Sequence, residues 1–555
     1  MAPLVCPCQA ISFFAKLGIV FQTSKATFPF LEPVGPGFGA SSSRCLSSSC
    51  WLVVILCGVW MPGNVRAQSI RLPWSGYAHE PQHSAIASVA SQPLNRILWQ
   101  TPVDLNPQYS GGELFIHYGS PLITRSNNVI LPVKTGAGGG FEIEALAGAT
   151  GATNWVQSTD YVLPAHGWVP SFSPALTPKN RLYFAGGGGT VYYCDTPDTT
   201  NAAPAIGQIA FYGLTNYLAS SNAYLANVQI NTPLTSDRYG NLFFGFLVTG
   251  STPLNLQSGI ARIDFSGTGT WVSAGATVSN ATVSQVAMNC APALSNDHKT
   301  LYVAVNNGYT TYGYLVAVDS RTLAPLNSVR LKDVKNPVND AVVDGDGTAS
   351  PMVGPDGDVY FGVLENPWYS NNDRGWLLHF DSTLTLTRLP GAFGWDDTAS
   401  VVPASLVPSY HGGSSYLLMT KYNNYADPGI GGDGINKIAI LDPQNSESDP
   451  VTGATVMNEV LTIAGPTPDY PNRNPSHPNA VREWCINSAA VDPFTKSVLA
   501  NNEDGKLYRW DLTSNTLSET NVLTPGIGEA YTPTLVGVNG IVYAINNATL
   551  FAIGR

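Results

Sequence analysis

The chain has 555 residues, of which only 12% are charged, and its formal net charge is −11. It contains 54 glycines and 41 prolines beside 44% hydrophobic residues, which is typical of a turn-dense β fold rather than of a disordered chain. Without residues 1–67, the count falls from 27 to 23 basic and from 38 to 37 acidic residues, a net charge near −14. No basic cluster remains, so nucleic acid is excluded as an expected partner.

The N-terminus predicts an exported protein. Arg44 precedes an apolar run at residues 51–60, and small residues stand at the −3 and −1 positions of a cleavage site before Gln68. The run is too short for a stable membrane span. We therefore predict a signal peptide over residues 1–67, with residues 1–43 as an atypical N-terminal extension, and a secreted or periplasmic mature protein.

Residues 68–90 are predicted to be a linker. This stretch holds the histidine pair His79 and His83, spaced by four positions as in some zinc sites. Pro81 lies between them and disfavours the helix that such a site needs. We expect solvated histidines here and no metal.

From residue 91 onward a β unit returns eight times. Each copy begins at an anchor residue, usually a proline after Ser, Thr or Ala. The anchors are Pro121, Pro174, Pro233, Pro292, Pro351, Val401, Ala489 and Pro533. A unit of this length cannot bury its own apolar face, so the repeat predicts a solenoid or a propeller.

Each anchor is followed by short apolar strands. The second strands are rich in aromatic and β-branched residues, as at 129–131, 182–184, 242–244, 301–303, 359–361, 416–418, 498–500 and 542–544. The third strand ends in Asp at positions 264, 319, 381, 442 and 511. Such runs between Gly, Asn and Asp are typical of strands, and no long stretch has a helical period. We predict an all-β protein.

One stretch resembles a known family. Residues 145–155 read ALAGATGATNW and are similar to the ALDAxTGxxxW signature of the pyrroloquinoline-quinone-like (PQQ-like) β-propeller repeat. Ala147 and Gly148 replace the usual Asp and Ala. The resemblance implies a β-propeller, and it implies little about activity, because that family includes quinone-dependent dehydrogenases and also proteins without a cofactor.

The two ends of the repeat region predict a closed ring. The last unit ends near residue 553 without a Trp-bearing fourth strand, whereas residues 97–103, with Trp99, look like one. Pairing these two segments would hide two sheet edges. We predict one propeller domain over residues 91–555, with eight blades, or seven if one copy is misassigned.

Cysteine usage argues against the redox chemistry of the resembled family. Residues 68–555 retain Cys194, Cys290 and Cys485, which we expect to be buried free thiols. The resemblance implies that a quinone dehydrogenase would carry a vicinal Cys pair, a Ca²⁺ ion held by Glu, Asn and Asp, and a catalytic Asp. No two of the retained cysteines are adjacent, so we lean towards a protein that is not an enzyme, with PQQ and Ca²⁺ left as cofactor alternatives.

Polar residues just before the anchors form the predicted ligand site. Innermost strands begin there and line the channel entrance, where carboxylates and imidazoles could bind a ligand or act as acid and base. The alternative is that these groups only solvate the channel mouth. The residues are His117, His166, Asp346, Asp396, Asp397, Glu483 and Glu529.

Two further signals concern metals and loops. Asp344 and Asp346 could supply oxygen ligands to Ca²⁺, although Asp-Gly sequences more often form turns. The interval of 88 residues before Ala489 contains a Pro-rich loop at 466–478, and long loops on rigid scaffolds commonly carry function.

Three functional classes follow. The first is a secreted, monomeric binding or scaffold protein that presents its entrance face to a protein or glycan. The second is a quinone- or metal-dependent oxidoreductase on the same fold. The third is a hydrolase or lyase, which would need two channel carboxylates at catalytic separation.

Overall fold

The computed structural model describes residues 73–110, 113–114, 119–137, 139–165, 172–200, 203–308, 311–345, 349–427, 429–526, 528 and 530–555. The predicted signal peptide and four predicted site residues, His117, His166, Asp346 and Glu529, lie outside this part of the chain. The sheets form eight blades, so the prediction of an all-β, eight-bladed propeller is confirmed.

Each blade is an antiparallel sheet ordered from the channel outward. Blades 1 and 2 consist of Leu122–Ile123, Asn128–Lys134, Phe141–Ala147 and Thr153–Thr159, and of Ala175–Leu176, Leu182–Ala185, Thr190–Cys194 and Ile206–Ala210. Blades 3 and 4 consist of Thr235–Ser236, Leu242–Val248, Gly259–Ile263 and Gly269–Ser273, and of Ala293–Leu294, Thr300–Asn306, Thr311–Asp319 and Pro325–Arg330. Blade 5 has Met352–Val353, Val359–Val363 and Trp376–Phe380, with isolated bridges at Thr387 and Gly391 in place of a fourth strand.

Blades 6 to 8 complete the ring. Blades 6 and 7 consist of Ser400–Pro403, Tyr416–Tyr422, Lys437–Ser448 and Thr455–Ala464, and of Ala490–Asp492, Ser497–Asn501, Lys506–Asp511 and Thr516–Val522. Blade 8 consists of Leu535–Val536, Val542–Asn546, Thr549–Gly554 and the N-terminal strand Arg96–Pro102.

Short additions decorate the blades. Strands Val228–Ile230, Gln285–Val286 and Val342–Val343 pair with blades 3 and 4, and Tyr109–Ser110 pairs with Glu113–Leu114. The described helices are Leu214–Ala219, Ser221–Asn227 and Ala274–Thr277, with 3-10 turns at Gly187–Gly189 and Ala404–Leu406.

The second strands explain why the repeat is so apolar. Asn128–Lys134, Val359–Val363 and Val542–Asn546 are buried at every residue, because neighbouring blades cover both faces of each sheet. A strand covered on both faces carries a continuous apolar run. The outermost strands alternate instead, as in Thr516–Val522, because one of their faces reaches water.

Ring closure occurs as predicted. Arg96–Pro102 pairs antiparallel with Thr549–Gly554, which sets Trp99 opposite Ala552. The Trp99 indole N–H donates to the Gly148 carbonyl of blade 1 at 2.9 Å. Trp155, on the fourth strand of blade 1, donates in the same way to Pro197 of blade 2 at 2.9 Å. Trp99 is thus the equivalent of the repeat tryptophan at the junction of blades 8 and 1.

Hydroxyl side chains link successive innermost strands. In blades 5 and 6, a hydroxyl just before the innermost strand accepts a hydrogen bond from the backbone of the preceding blade. Ser350 Oγ accepts from Ala291 N–H at 2.9 Å, and Thr398 Oγ1 accepts from Ser350 N–H at 3.0 Å. Each of these two hydroxyls therefore satisfies a buried backbone donor of its neighbour.

Residues 73–92, here called the N-terminal segment, run inside the ring. Backbone hydrogen bonds join this segment to seven of the eight blades. Its carbonyl oxygens accept from innermost-strand N–H groups, as in Ile123 to Trp74 (2.9 Å), Leu294 to Pro81 (2.8 Å) and Val353 to Gln82 (2.9 Å). Further such bonds join Leu176 to Ser75, Val401 to Ser84 and Val491 to Ala85.

The segment is therefore not a solvated linker from residue 73 onward, and the expectation for its histidines is wrong. His79 and His83 are buried, with 6% and 1% exposure. His83 Nδ1 lies 2.7 Å from the Pro351 carbonyl oxygen, and burial lowers the pKa of His83 to about 4. Pro81 does prevent a helix, but the extended chain is held by the blades instead of by water.

Deleting residues 68–105 should open the ring and strongly destabilise the protein. The deletion removes the fourth strand of blade 8 and exposes an edge. Deleting only residues 68–92 keeps that strand but leaves N–H groups of the innermost strands without acceptors. Each such group that stays buried lowers the free energy of unfolding by about 1–3 kcal/mol. We expect the shorter deletion to lower the melting temperature and the longer one to lower it further. Circular dichroism measures the melting temperatures. If either variant melted at the same temperature as the intact protein, this account of the ring would be contradicted.

Candidate functional site

The site lies where the innermost strands begin, which we call the entrance face. At the opposite face lie the turns between first and second strands, where Gln92 N–H donates to Gly540 O at 2.7 Å. Tyr77 of the N-terminal segment reaches towards the entrance face, with its hydroxyl 2.9 Å from Thr398 Oγ1 and 2.6 Å from Asn487 Oδ1. The segment thus forms the floor of the entrance site.

The structure corrects the repeat frame in blade 6. Val401 N–H donates to the N-terminal segment as Val353 and Leu294 do, and both of those residues lie two positions after their anchors. The true anchor of blade 6 is therefore Ala399, which has no proline to mark it. Asp397 then lies two residues before the anchor, and Trp395 takes the position four residues before it.

Asp396 is bound to a buried lysine. Lys421, on the second strand of blade 6, has a fully buried side chain that forms an ion pair with Asp396, whose side chain is 3% exposed. The lysine ammonium also lies 5.7 Å from the ring centres of both Phe393 and Tyr531. Asp396 has φ of +50°, a left-handed conformation that asparagine and aspartate adopt more readily than most residues.

Asp397 serves the fold. Its Oδ2 accepts from Thr420 Oγ1 at 2.5 Å and from Lys421 N–H at 3.0 Å. Burial raises the pKa of Asp397 to about 6, although Lys421 and these hydrogen bonds act in the opposite direction. The Asp397 carboxylate therefore has internal partners, so replacing this residue should affect stability.

Glu483 belongs to a second buried group. Cys485 Sγ lies 3.9 Å from Glu483 Oε2 and 3.7 Å from Glu503 Oε2, and all three residues are at most 4% exposed. Arg482 Nη1 lies 3.8 Å from Glu503 Oε1. In the part of the chain that the structure describes, this is the one group of three or more carboxyl, thiol or imidazole side chains close enough to hold a metal ion.

A cavity between blades 4, 5 and 6 brings Asp344 and Asp396 together. Its volume is about 20 Å³, and Cys290, Trp395, Phe361 and Val363 also line it. Trp395 is 3% exposed, and its indole N–H has no hydrogen-bond partner. Buried polar groups are normally satisfied, so an unpaired donor in a cavity marks a place for an acceptor.

Three acidic residues of blade 5 have structural roles. Asp356, in the turn between the first two strands, accepts from Tyr416 OH at 2.9 Å, and Asp358 pairs with Arg388 at 2.9 Å. Glu365 accepts backbone N–H bonds from Asn371, Asp373 and Gly375, and burial raises its pKa. These contacts fix turns. Of the predicted metal pair, Asp344 is the residue that lies within the described part of the chain.

The sequence did not predict three groups of the site. Trp395 was missed because the frame of blade 6 was two residues out. Lys421 and Glu503 were missed because they lie on or after second strands, far from the anchors. An unusual lysine within the apolar run at 416–422 was the available signal, since lysine is rarely buried without a partner. The expectation for the thiols is confirmed: Cys194, Cys290 and Cys485 are buried and form no disulfide bond.

Comparisons with known proteins identify the fold. No protein-family model matches the sequence, and no curated protein is significantly similar to it. A europium-containing methanol dehydrogenase matches with a TM-score of 0.50 and 9% identity, over 86% of this chain and 90% of that chain. The quinohemoprotein alcohol dehydrogenase of Comamonas testosteroni matches with a TM-score of 0.47 and 10% identity, over 88% and 82%. BamB from Moraxella catarrhalis matches with a TM-score of 0.32 and 14% identity, over 84% and 99%.

The likeness to the methanol dehydrogenase confirms the predicted PQQ-like β-propeller architecture, and at 9% identity this likeness concerns the fold alone. In the described residues, no helix has the length and apolar character required to cross a bilayer.

Asp397 should make stability depend on pH. Because its folded pKa, about 6, lies above the ordinary aspartate value of 3.8, the folded state binds more protons between these values, and stability falls as pH rises through them. The unfolding free energy of the wild type, relative to Asp397→Asn, should therefore decrease by on the order of 3 kcal/mol between pH 4 and pH 7. Urea denaturation of both proteins across this range measures the difference. A constant or increasing difference would contradict the raised pKa.

Proposed function

We propose that this chain is an exported binding protein that holds a hydroxyl-bearing ligand, the end of a glycan, at the entrance face and performs no chemistry on it. The unpaired indole N–H of Trp395, in a cavity shared with Asp344 and Asp396, carries the proposal. The signal-peptide pattern supports export.

Hydrogen-bond complementarity selects the ligand class. Trp395 can only donate, whereas an ionised carboxylate can only accept. A hydroxyl group does both, so it can accept from Trp395 and donate to Asp344 or Asp396. An ammonium group lacks an acceptor for the indole, and a carboxylate group lacks a donor and would meet two like charges. A hydroxyl is therefore the best match.

The size of the cavity limits what enters it. About 20 Å³ is close to the space that one water molecule needs. One hydroxyl of the ligand would enter, and the rest of the ligand would lie across the mouth. The buried Lys421–Asp396 pair fixes the carboxylate from behind, so that it is preorganised for binding.

A metal- or quinone-dependent oxidoreductase is the second candidate, and the group of Glu483, Cys485 and Glu503 favours it. This set would hold a cation through one thiolate and two carboxylates. Ca²⁺ prefers oxygen ligands alone, so the set fits a softer divalent ion such as Zn²⁺ better than the Ca²⁺ of the resembled dehydrogenases. A protein partner at the entrance face and the hydrolase or lyase class have no comparable observation in their favour.

Trp395→Phe should weaken binding with little effect on stability, because it removes one unpaired N–H and conserves the aromatic ring. Isothermal titration with cellotetraose, laminaritetraose and maltotetraose should show binding of at least one sugar. The variant should raise its Kd by about 2- to 12-fold, the value of one hydrogen bond. Trp484→Phe is the matched control, since Trp484 is also buried with an unpaired indole N–H but does not line the cavity. Unchanged affinity in Trp395→Phe, or equal losses in both variants, would contradict the proposal.

Dye reduction separates the two candidates. Purified protein should reduce no artificial electron acceptor when Ca²⁺, PQQ and short-chain alcohols or sugars are supplied. Turnover that Cys485→Ser or Glu503→Gln abolishes, together with stoichiometric metal by mass spectrometry, would establish the oxidoreductase instead.

A further inference from the structure

We infer that the chain has a second binding site, for a neutral polysaccharide, in the outer groove between blades 2 and 3. The groove has a volume of about 720 Å³, within the range of ligand pockets. It is far larger than the cavity at Trp395. Its lining includes Arg181, Tyr193 and Gln208 of blade 2 and Phe265, Thr268 and Trp271 of blade 3.

Large aromatic side chains are exposed along this groove. Phe265 is 68% exposed and Trp271 is 36% exposed, with Leu254 beside them at 44%. Clustered apolar side chains at a concave surface mark interaction sites, whereas single exposed ones are ordinary. The cluster therefore requires an occupant that covers aromatic faces.

The aromatic platform is held rigidly. The Trp271 ring packs on Phe246 with centres 6.0 Å apart, and Phe246 packs on Phe211 at 4.4 Å. Blades 2 and 3 also approach each other closely at the groove. A Cβ atom added to Gly269 of blade 3 would lie only 1.9 Å from the carbonyl oxygen of Phe211. A rigid platform loses little conformational entropy when a ligand stacks on it.

Charge selects a neutral occupant. Of the residues that line the groove, Arg181 alone is charged. Its guanidinium binds Asp195 at 2.5 and 3.1 Å and stacks over Tyr193 at 4.6 Å. The groove therefore offers no uncompensated charge to an anionic or cationic ligand, and a chain with a net charge of −11 repels polyanions at long range.

Polar groups beside the aromatics complete the match. The Gln208 amide and the Ser266 and Thr268 hydroxyls lie along the same groove. Gln208 Nε2 donates to Thr190 Oγ1 at 3.0 Å and Ser266 Oγ donates to Asp264 Oδ1 at 2.6 Å, so the oxygens of these side chains keep lone pairs that can accept from a ligand hydroxyl. Sugar rings present apolar C–H faces and hydroxyl-bearing edges, so a neutral polysaccharide can stack on Phe265 and Trp271 while its edges meet these groups. This site is separate from the entrance face and does not depend on the ligand proposed there.

Affinity electrophoresis tests the inference. Native gels would contain hydroxyethylcellulose, laminarin, galactomannan or, as the anionic comparison, alginate. We expect at least one neutral polymer, and not alginate, to slow the intact protein. Trp271→Ala and Phe265→Ala should raise the Kd about tenfold, as expected for central aromatic contacts. Phe494→Ala is the matched control, since Phe494 is 58% exposed in blade 7, and it should migrate as the wild type does.

The outcomes discriminate between the two sites. Trp395→Phe should leave the retardation unchanged, so failure of the entrance-face proposal would not be mistaken for failure of this one. The inference is overturned if no neutral polymer slows the protein, if Trp271→Ala and Phe265→Ala are slowed as much as the wild type, or if Phe494→Ala loses as much retardation as they do. Binding of an apolar decapeptide that Trp271→Ala abolishes, without retardation in any gel, would overturn it in favour of a peptide site.

Discussion

The hydrogen bonds between the N-terminal segment and the innermost strands are the interaction on which the rest of the structure depends. Innermost strands of a propeller have one edge that faces the channel, and an unpaired edge leaves backbone donors without partners. Here carbonyl oxygens such as those of Trp74, Pro81 and Gln82 accept from that edge. The same segment supplies Tyr77, whose hydroxyl bonds Thr398 and Asn487 at the entrance face. Stability and site geometry thus have a common origin.

The entrance face combines buried charge with unsatisfied polarity. A buried ion pair such as Lys421–Asp396 gains little net stability, because desolvation offsets the Coulomb attraction. Its value is in fixing the position of a carboxylate beside the cavity. The indole N–H of Trp395 has no partner, which lowers the stability of the folded protein. A bound acceptor would restore the missing hydrogen bond. Such costs tend to be found at functional sites rather than in the remainder of a fold.

The architecture could be predicted because it is repeated and local. Proline anchors, apolar second strands and a lone N-terminal strand with Trp99 were enough to predict eight blades and their closure. The N-terminal segment could not be predicted, because its partners lie up to several hundred positions away and its own sequence has no period. The site was predicted only in part. Blade 6 lacks the anchor proline, so its predicted anchor was two residues too late and Trp395 was not recognised as a site residue. Lys421 comes close to Asp396 only because the strands of the blade pair in the folded protein.

The position of the segment has a consequence for how the protein is made. Residues 73–102 are synthesised before the innermost strands of all eight blades, yet they pair with strands that extend to Gly554. Contacts of such long sequence separation fold slowly, since loop closure precedes the stabilising contacts. The ring cannot close before the strand Thr549–Gly554 has been synthesised. Until then the apolar strands of the open ring are exposed, and the chain would depend on chaperones to protect them from aggregation.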